Sequence, residues 1–109
     1  MKKTVLVDLD GVLNEYKGNY DESIIPPVRF GAKEFLEELS NNFIVKIFTT
    51  RSIQKVEEWF ILNKLNSHIS GVTNKKEPAF LIIDDRCINF DGDYKSTLEK
   101  IKDFKVWYK

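Results

Sequence analysis

Hydrophobic positions along this chain fall into short blocks that switch between two periods. Thr4-Val5-Leu6-Val7, Phe43-Ile44-Val45-Lys46-Ile47-Phe48 and Phe80-Leu81-Ile82-Ile83 are brief, rich in β-branched residues and apolar at all but one or two positions. Such runs read as strands buried on both faces of a parallel sheet. Between them the spacing turns helical. Ala32, Phe35, Leu36 and Leu39 make one stripe over residues 29–40, and Asn41-Asn42 ends it. Ser52 is placed to cap a helix reaching Leu65, with Ile53, Val56, Trp59, Phe60 and Leu62 or Asn63 on its apolar face. A short strand is expected over Ile69–Thr73 and a last helix over Ser96–Phe104, and Val106-Trp107-Tyr108 reads as a terminal strand or a docked tail. Residues 12–29 hold Gly18, two tyrosines, several acids and Pro26-Pro27 without a sustained period, and read as a loop or small flap.

Alternation of β and α predicts an α/β fold, a mostly parallel sheet with helices on its faces. One connection breaks the pattern. Thr73 to Phe80 is too short for a crossover helix, which takes about a dozen residues. An extended link, at roughly 3.3 Å per residue, still reaches across a sheet. At 109 residues the chain makes one domain, 1–109, able to bury a core. It shows no internal repeat and no low-complexity linker.

The strand ends carry the chemistry. The first run delivers Asp8-Leu9-Asp10-Gly11 to its carboxyl end, where ligands bind in open α/β sheets. Asp8 and Asp10 are two apart on extended chain and point to one side. Two like charges that close need a cation, a proton or a donor. Gly11 permits a tight turn after them. Taken alone, such a pair equally fits a solvated turn with a helix cap. The second run ends in Thr49-Thr50-Arg51 and the third in Asp84-Asp85. Three strands ending in acids, hydroxyls and acids do not read as three independent surface turns.

Val7-Asp8-Leu9-Asp10-Gly11-Val12-Leu13, Phe48-Thr49-Thr50-Arg51, a lysine before the last strand and Ile83-Asp84-Asp85-Arg86 resemble the four motifs of the haloacid dehalogenase (HAD) superfamily. They stand in the right order between residues 5 and 86. The segment Lys76 to Arg86, with Phe90-Asp91-Gly92-Asp93 behind it, is similar to a group of small bacterial and phage HAD-like hydrolases. The resemblance implies a single Rossmann-like core in three αβα layers with no folded cap. It implies a Mg²⁺-dependent phosphatase in which Asp8 is the nucleophile and forms an aspartyl-phosphate. Asp8, the backbone carbonyl of Asp10, and Asp84 would hold Mg²⁺, and Asp85 would bind through water or orient the set. Asp10 would be the general acid and base. Thr49 would donate to a phosphoryl oxygen, with Thr50 the alternative. Lys76, with Lys75 as alternative, would neutralise Asp8 and the phosphoryl charge. Gly11, Thr50 and Arg51 are the further candidates for binding substrate. Arg51 equally fits an acid pair that caps the sheet, and Arg86 is expected to pair with a carboxylate.

Composition narrows the partners. Formal net charge is zero, from 17 basic and 17 acidic side chains, with no long block of either sign. That argues against a broad nucleic-acid footprint and leaves only a local basic rim at Arg51, Lys75, Lys76 and Arg86. No apolar run has the length of a membrane span, and Asp8 and Asp10 break the only candidate signal region. A single cysteine, Cys87, allows no internal disulfide and suits a reducing cytosol. It reads as a buried or half-buried packing residue. His68, the only histidine, reads as structural or surface, and Trp59 and Phe60 as core.

The resemblance implies a phosphate ester as substrate, small or macromolecular. A site without a cap is open, which suits a nucleotide, a nucleic-acid end, a phosphoprotein, or an oligomer that closes the site from outside. Tyr16 and Tyr20 in the 12–29 flap either stack on substrate or pack the flap. Two other classes use similar residues. A receiver-like module carries its phosphorylated Asp on a middle strand, but Thr49-Thr50 stands there instead. A non-catalytic phosphate-binding module would be expected to lose Asp8 or Asp10, and both are present.

Overall fold

The apolar run that starts at Lys3 forms a central strand, and every later element is arranged around it. In the computed structural model, which describes residues 1–108, the order is β1 (Lys3–Asp8), α1 (Ala32–Asn42), β2 (Phe43–Phe48), α2 (Ile53–Leu62), a 3₁₀ turn (Asn66–His68), β3 (Gly71–Thr73), β4 (Leu81–Ile83) and α3 (Tyr94–Asp103). The four strands are parallel and lie in the order β3-β2-β1-β4. The chain therefore winds outward from β1 to β3 and then returns to the other side of β1. Strand order reverses between β1 and β4, which opens a crevice at their carboxyl ends. This is the expected α/β, Rossmann-like parallel sheet.

Register explains the core. Val5 pairs with Val45 and Val7 with Ile47, so all four face the same way. They are buried against Ala32 and Leu36 of α1 and Val56, Trp59 and Phe60 of α2. Leu9 and Leu13, just past β1, join the same cluster. Each Val, Leu, Ile and Phe side chain among them stabilises the fold by roughly 2 kcal/mol on burial. Leu6 faces the opposite way and is also fully buried.

Helix ends differ from the periodicity for local reasons. α1 starts at Ala32, after Gly31 in a left-handed conformation, and Phe35 on its stripe is partly exposed. The Ser52 side chain caps α2 by accepting from Lys55 N–H, as expected. α2 stops at Leu62, which is exposed; Leu65 is buried from the following turn, its N–H bonded to Phe60 O at 2.9 Å. β3 begins at Gly71 rather than Ile69. α3 begins at Tyr94, earlier than Ser96, because the Asp93 carboxylate accepts from Lys95 N–H and caps it. α3 buries no residue.

Residues 74–80 cross the sheet without a helix, as an extended link. Phe80 N–H donates to Thr4 O at 2.8 Å, Glu77 pairs with Lys46, and the Phe80 ring stacks on Phe43. The 12–29 segment is a loop with a pinned neck. An Asn14–Val28 bridge, Glu15 N–H to Pro27 O and Arg29 N–H to Leu13 O hold its two arms together. Residues 106–108 form a docked tail, not a strand. Val106 is buried, and Trp107 Nε1–H donates to Gly11 O at 2.7 Å. Cys87 is exposed, not buried, because it follows β4 on the loop that leaves the sheet. No helix among the described residues is long and apolar enough to cross a membrane.

Candidate active site

β1 and β4 are adjacent and in register from Val5–Leu81 to Val7–Ile83. Their next residues, Asp8 and Asp84, therefore emerge side by side at the reversal point, and Asp85 follows. One carboxylate oxygen from each of Asp8, Asp84 and Asp85 lies within 4.8 Å of the others. All three side chains are half-buried. They floor a cavity of about 240 Å³ walled by Asp10, Tyr16, Tyr20, Phe48, Thr49, Thr50 and Arg86.

The electrostatics of this cluster are unfavourable without a cation. Burial, then the charges of Asp84, Asp85 and Asp10, push the Asp8 carboxyl up to about 8. Asp85 is raised as well, chiefly by burial. One oxygen of Asp85, Oδ2, is buried with no hydrogen-bond partner. Gly11 has φ +85°, and a Cβ there would collide with that carboxylate. Glycine is thus required both for the left-handed turn and for the approach of Asp85.

Asp10 sits differently. Arg51 Nε donates to both its oxygens, at 3.2 and 2.9 Å, and Asn14 Nδ2 donates to Oδ1 at 3.0 Å. The side chain of Arg51 is almost wholly buried, donates also to Asp21 O at 3.0 Å and lies over the Tyr20 ring at 4.6 Å. Of its two readings, the acid pair is the one found. Asn14 is fully buried and accepts from Gly11 N–H and Tyr16 N–H through Oδ1. One amide thus ties the turn, the flap and Asp10 together.

The cavity brings together most of the expected residues. Asp8, Asp10, Asp84, Asp85, Thr49 and Thr50 all line it. Thr49 is buried and Thr50 exposed. The Thr49 hydroxyl oxygen accepts from Arg51 N–H at 3.1 Å, which leaves its own proton free to donate. Arg51 and Gly11 do not line the cavity: the guanidinium stands behind Asp10, and Gly11 uses N–H and carbonyl on Asn14 and Trp107. Lys75 and Lys76 are exposed on the 74–80 link and do not line it either. The link is extended, so neither lysine is carried to the strand ends by a helix.

Arg86 is placed differently from expectation, and Tyr108 and Asn14 carried no functional signal in the sequence. Arg86 lines the cavity and, among the described residues, is in no ion pair; its Nη2 donates to Tyr108 Oη at 3.3 Å instead of to a carboxylate. Tyr108 arrives from the far end of the chain and meets Tyr16 edge-on, with ring centroids 6.2 Å apart. Its approach depends on the tail docking at Gly11, a contact spanning 96 residues that no local pattern encodes. Asn14 likewise carried no signal beyond a polar residue next to Leu13. His68, as expected, lies away from the site, 3.7 Å from Glu37.

No family model matches the sequence, and no curated protein matches it. Among solved structures, one described as the conserved protein coded by a locus from Bacteroides thetaiotaomicron is similar in fold. It is 22% identical with a TM-score of 0.63, and the match covers 98% of this chain and 95% of that one. At that identity the likeness shows the fold alone.

Proposed function

We propose that this chain is a Mg²⁺-dependent phosphohydrolase of the HAD type, working through an aspartyl-phosphate on Asp8. The observation that carries the reading is the convergence of Asp8, Asp84 and Asp85 at the β1–β4 reversal point, with the Thr49 hydroxyl in the same cavity. The donor set fits a hard divalent cation: carboxylates only, a buried Asp85 oxygen without a partner, and an Asp8 proton that a cation would displace. Asp8, Asp84, Asp85 and the Asp10 carbonyl are the groups that would hold it. When bound, Mg²⁺ supplies the positive charge that lets one anion attack another.

The residues then divide the work. A carboxylate oxygen of Asp8 attacks phosphorus, and the bond from phosphorus to the leaving oxygen breaks. Asp10 supplies the proton that the leaving oxygen takes up. The Arg51 Nε–H, shared between both oxygens, and the Asn14 amide fix the Asp10 carboxylate in one orientation. In the second half, Asp10 removes a proton from water as the water oxygen attacks phosphorus. The bond between phosphorus and Asp8 breaks, inorganic phosphate leaves, and Asp8 is regenerated. Thr49 donates to a phosphoryl oxygen. Tyr16 and Tyr20, on the pinned loop, close part of the opening. The substrate is a phosphate ester, and the lone exposed Cys87 suits a reducing cytosol.

The test is a phosphatase screen with Mg²⁺ over p-nitrophenyl phosphate, nucleotides, sugar phosphates and 3′- or 5′-phosphorylated oligonucleotides. Turnover abolished by Asp8→Asn, together with beryllofluoride binding that the same variant loses, is the expected result. A wild-type protein that neither turns over any ester nor binds beryllofluoride with Mg²⁺ would overturn the reading.

A further inference from the structure

The unexplained feature of the cavity is its charge. Asp8, Asp10, Asp84 and Asp85 all face it, yet only Asp10 has a cationic side chain within ion-pair distance among the described residues. A phosphoryl group adds more negative charge to that set. The lysine expected to answer it is not there. Lys75 and Lys76 are exposed on the 74–80 link, outside the cavity. Arg86 is the one cationic side chain lining it among the described residues.

Resting on the phosphohydrolase reading, we propose that Arg86 is the side chain that binds the substrate's phosphoryl group, in the role the family resemblance gives to Lys76. Three observations carry this. First, Arg86 is anchored to the cluster itself: its backbone N–H donates to Asp84 Oδ1 at 2.9 Å, so its side chain starts at the cavity mouth. Second, its guanidinium is held but not consumed. Nη2 donates to the Tyr108 phenol at 3.3 Å, and no carboxylate among the described residues takes the remaining donors. A guanidinium carries five N–H donors, and a free fork matches two oxygens of a phosphoryl group. Third, its holder is itself held. Tyr108 meets Tyr16 edge-on and Trp107 at 5.3 Å between ring centroids; Trp107 is pinned to Gly11 O and lies under Arg29. Tyr108 is a positioning residue: it fixes where Arg86 points without touching substrate.

The experiment compares variants of the full chain with Mg²⁺ and p-nitrophenyl phosphate, and titrates inorganic phosphate calorimetrically. Arg86→Ala is expected to lower kcat/KM by about 10²-fold, the usual loss for one electrostatic contact to a developing charge. It should also weaken phosphate binding, and millimolar guanidinium should restore part of the activity. Arg86→Lys should recover only part, since an ammonium is a point charge and not a fork. Lys76→Ala should cost at least tenfold less than Arg86→Ala. Tyr108→Phe should raise KM several-fold with kcat nearly unchanged, a split that mere destabilisation would not produce. Active wild type with Arg86→Ala inside threefold of it, or a larger loss from Lys76→Ala, overturns the Arg86 assignment alone. Wild type that neither hydrolyses esters nor binds phosphate overturns both readings.

Discussion

Asp8 and Asp10 are separated by one residue, yet they occupy opposite electrostatic environments. Asp8 faces Asp84 and Asp85 across the β1–β4 crevice, and burial and like charge hold its proton up to about 8. Asp10 is gripped by the buried Arg51 and by Asn14. The difference arises from the neighbours of β1. On one side β4 contributes acids; on the other, the chain past β2 contributes Arg51. One carboxylate is thereby left needing a cation, and the other is already compensated and oriented. On the proposed mechanism, Asp10 as general acid and base needs a defined position, whereas Asp8 as a metal-binding nucleophile needs uncompensated negative charge. The two environments are consistent with those two proposed roles.

The sharpest way to break this contrast is through pH. Asp8 has a folded-state value near 8 against an ordinary 3.8, so the folded protein binds the proton more tightly than the unfolded chain. Its contribution to stability is therefore complete below the ordinary value and is lost as pH rises through the folded one. Without metal, stability should fall between those limits by up to about 1.4 kcal/mol per pH unit. Thermal melts across that range should show the slope in the wild type and its loss in Asp8→Asn. Next in size is the opposite environment. Arg51→Leu leaves Asp10 partly buried and unpaired and should cost about 3 kcal/mol in urea denaturation, with Asp10→Asn in the same background recovering part of it.

Adding Mg²⁺ should sharpen the contrast from the Asp8 side. At a hundredfold excess over Kd it should stabilise the folded chain by about 2.7 kcal/mol, read as a rise in Tm. Asp84→Asn should reduce that rise, while the Asp10–Arg51 pair should contribute nothing to it. Gly11→Ala probes the boundary between the two environments. Its left-handed φ of +85° and the collision with Asp85 should cost about 1–2 kcal/mol and weaken Mg²⁺ binding, measured by melting and calorimetry. The smallest effect is expected from the flap. Replacing Tyr16 and Tyr20 with Ala should raise KM for the preferred ester while leaving p-nitrophenyl phosphate turnover within about threefold, since these rings lie at the wall and not on the reacting groups.

Strands and acids were legible in the sequence because their causes are local. Runs rich in β-branched residues at Val5–Val7 and Ile44–Ile47 dictate strands, and β2 spans the expected Phe43–Phe48. Burial on both faces holds for β1 but not for β2 or β4, where Ile44 and Leu81 are exposed because α3 buries no residue against the sheet. Ser52 caps α2 through its own hydroxyl, and the short 74–80 spacing by itself excludes a crossover helix. The strand-end positions of Asp8, Thr49 and Asp84 follow from those strands. The convergence of the acids does not: it requires that β4 return beside β1 rather than beyond β3, a choice made by packing and by strand register. Spacing put Asp8 and Asp10 on one side but carried no information about which would find Arg51. Tertiary structure alone exposed Cys87, left α3 without a buried residue, drew the tail onto Gly11 and set Tyr108 beside Arg86. The physical reason is range. Periodicity and capping act over a few residues, whereas the charge balance of this cavity is decided by groups that meet only after the sheet has closed around β1.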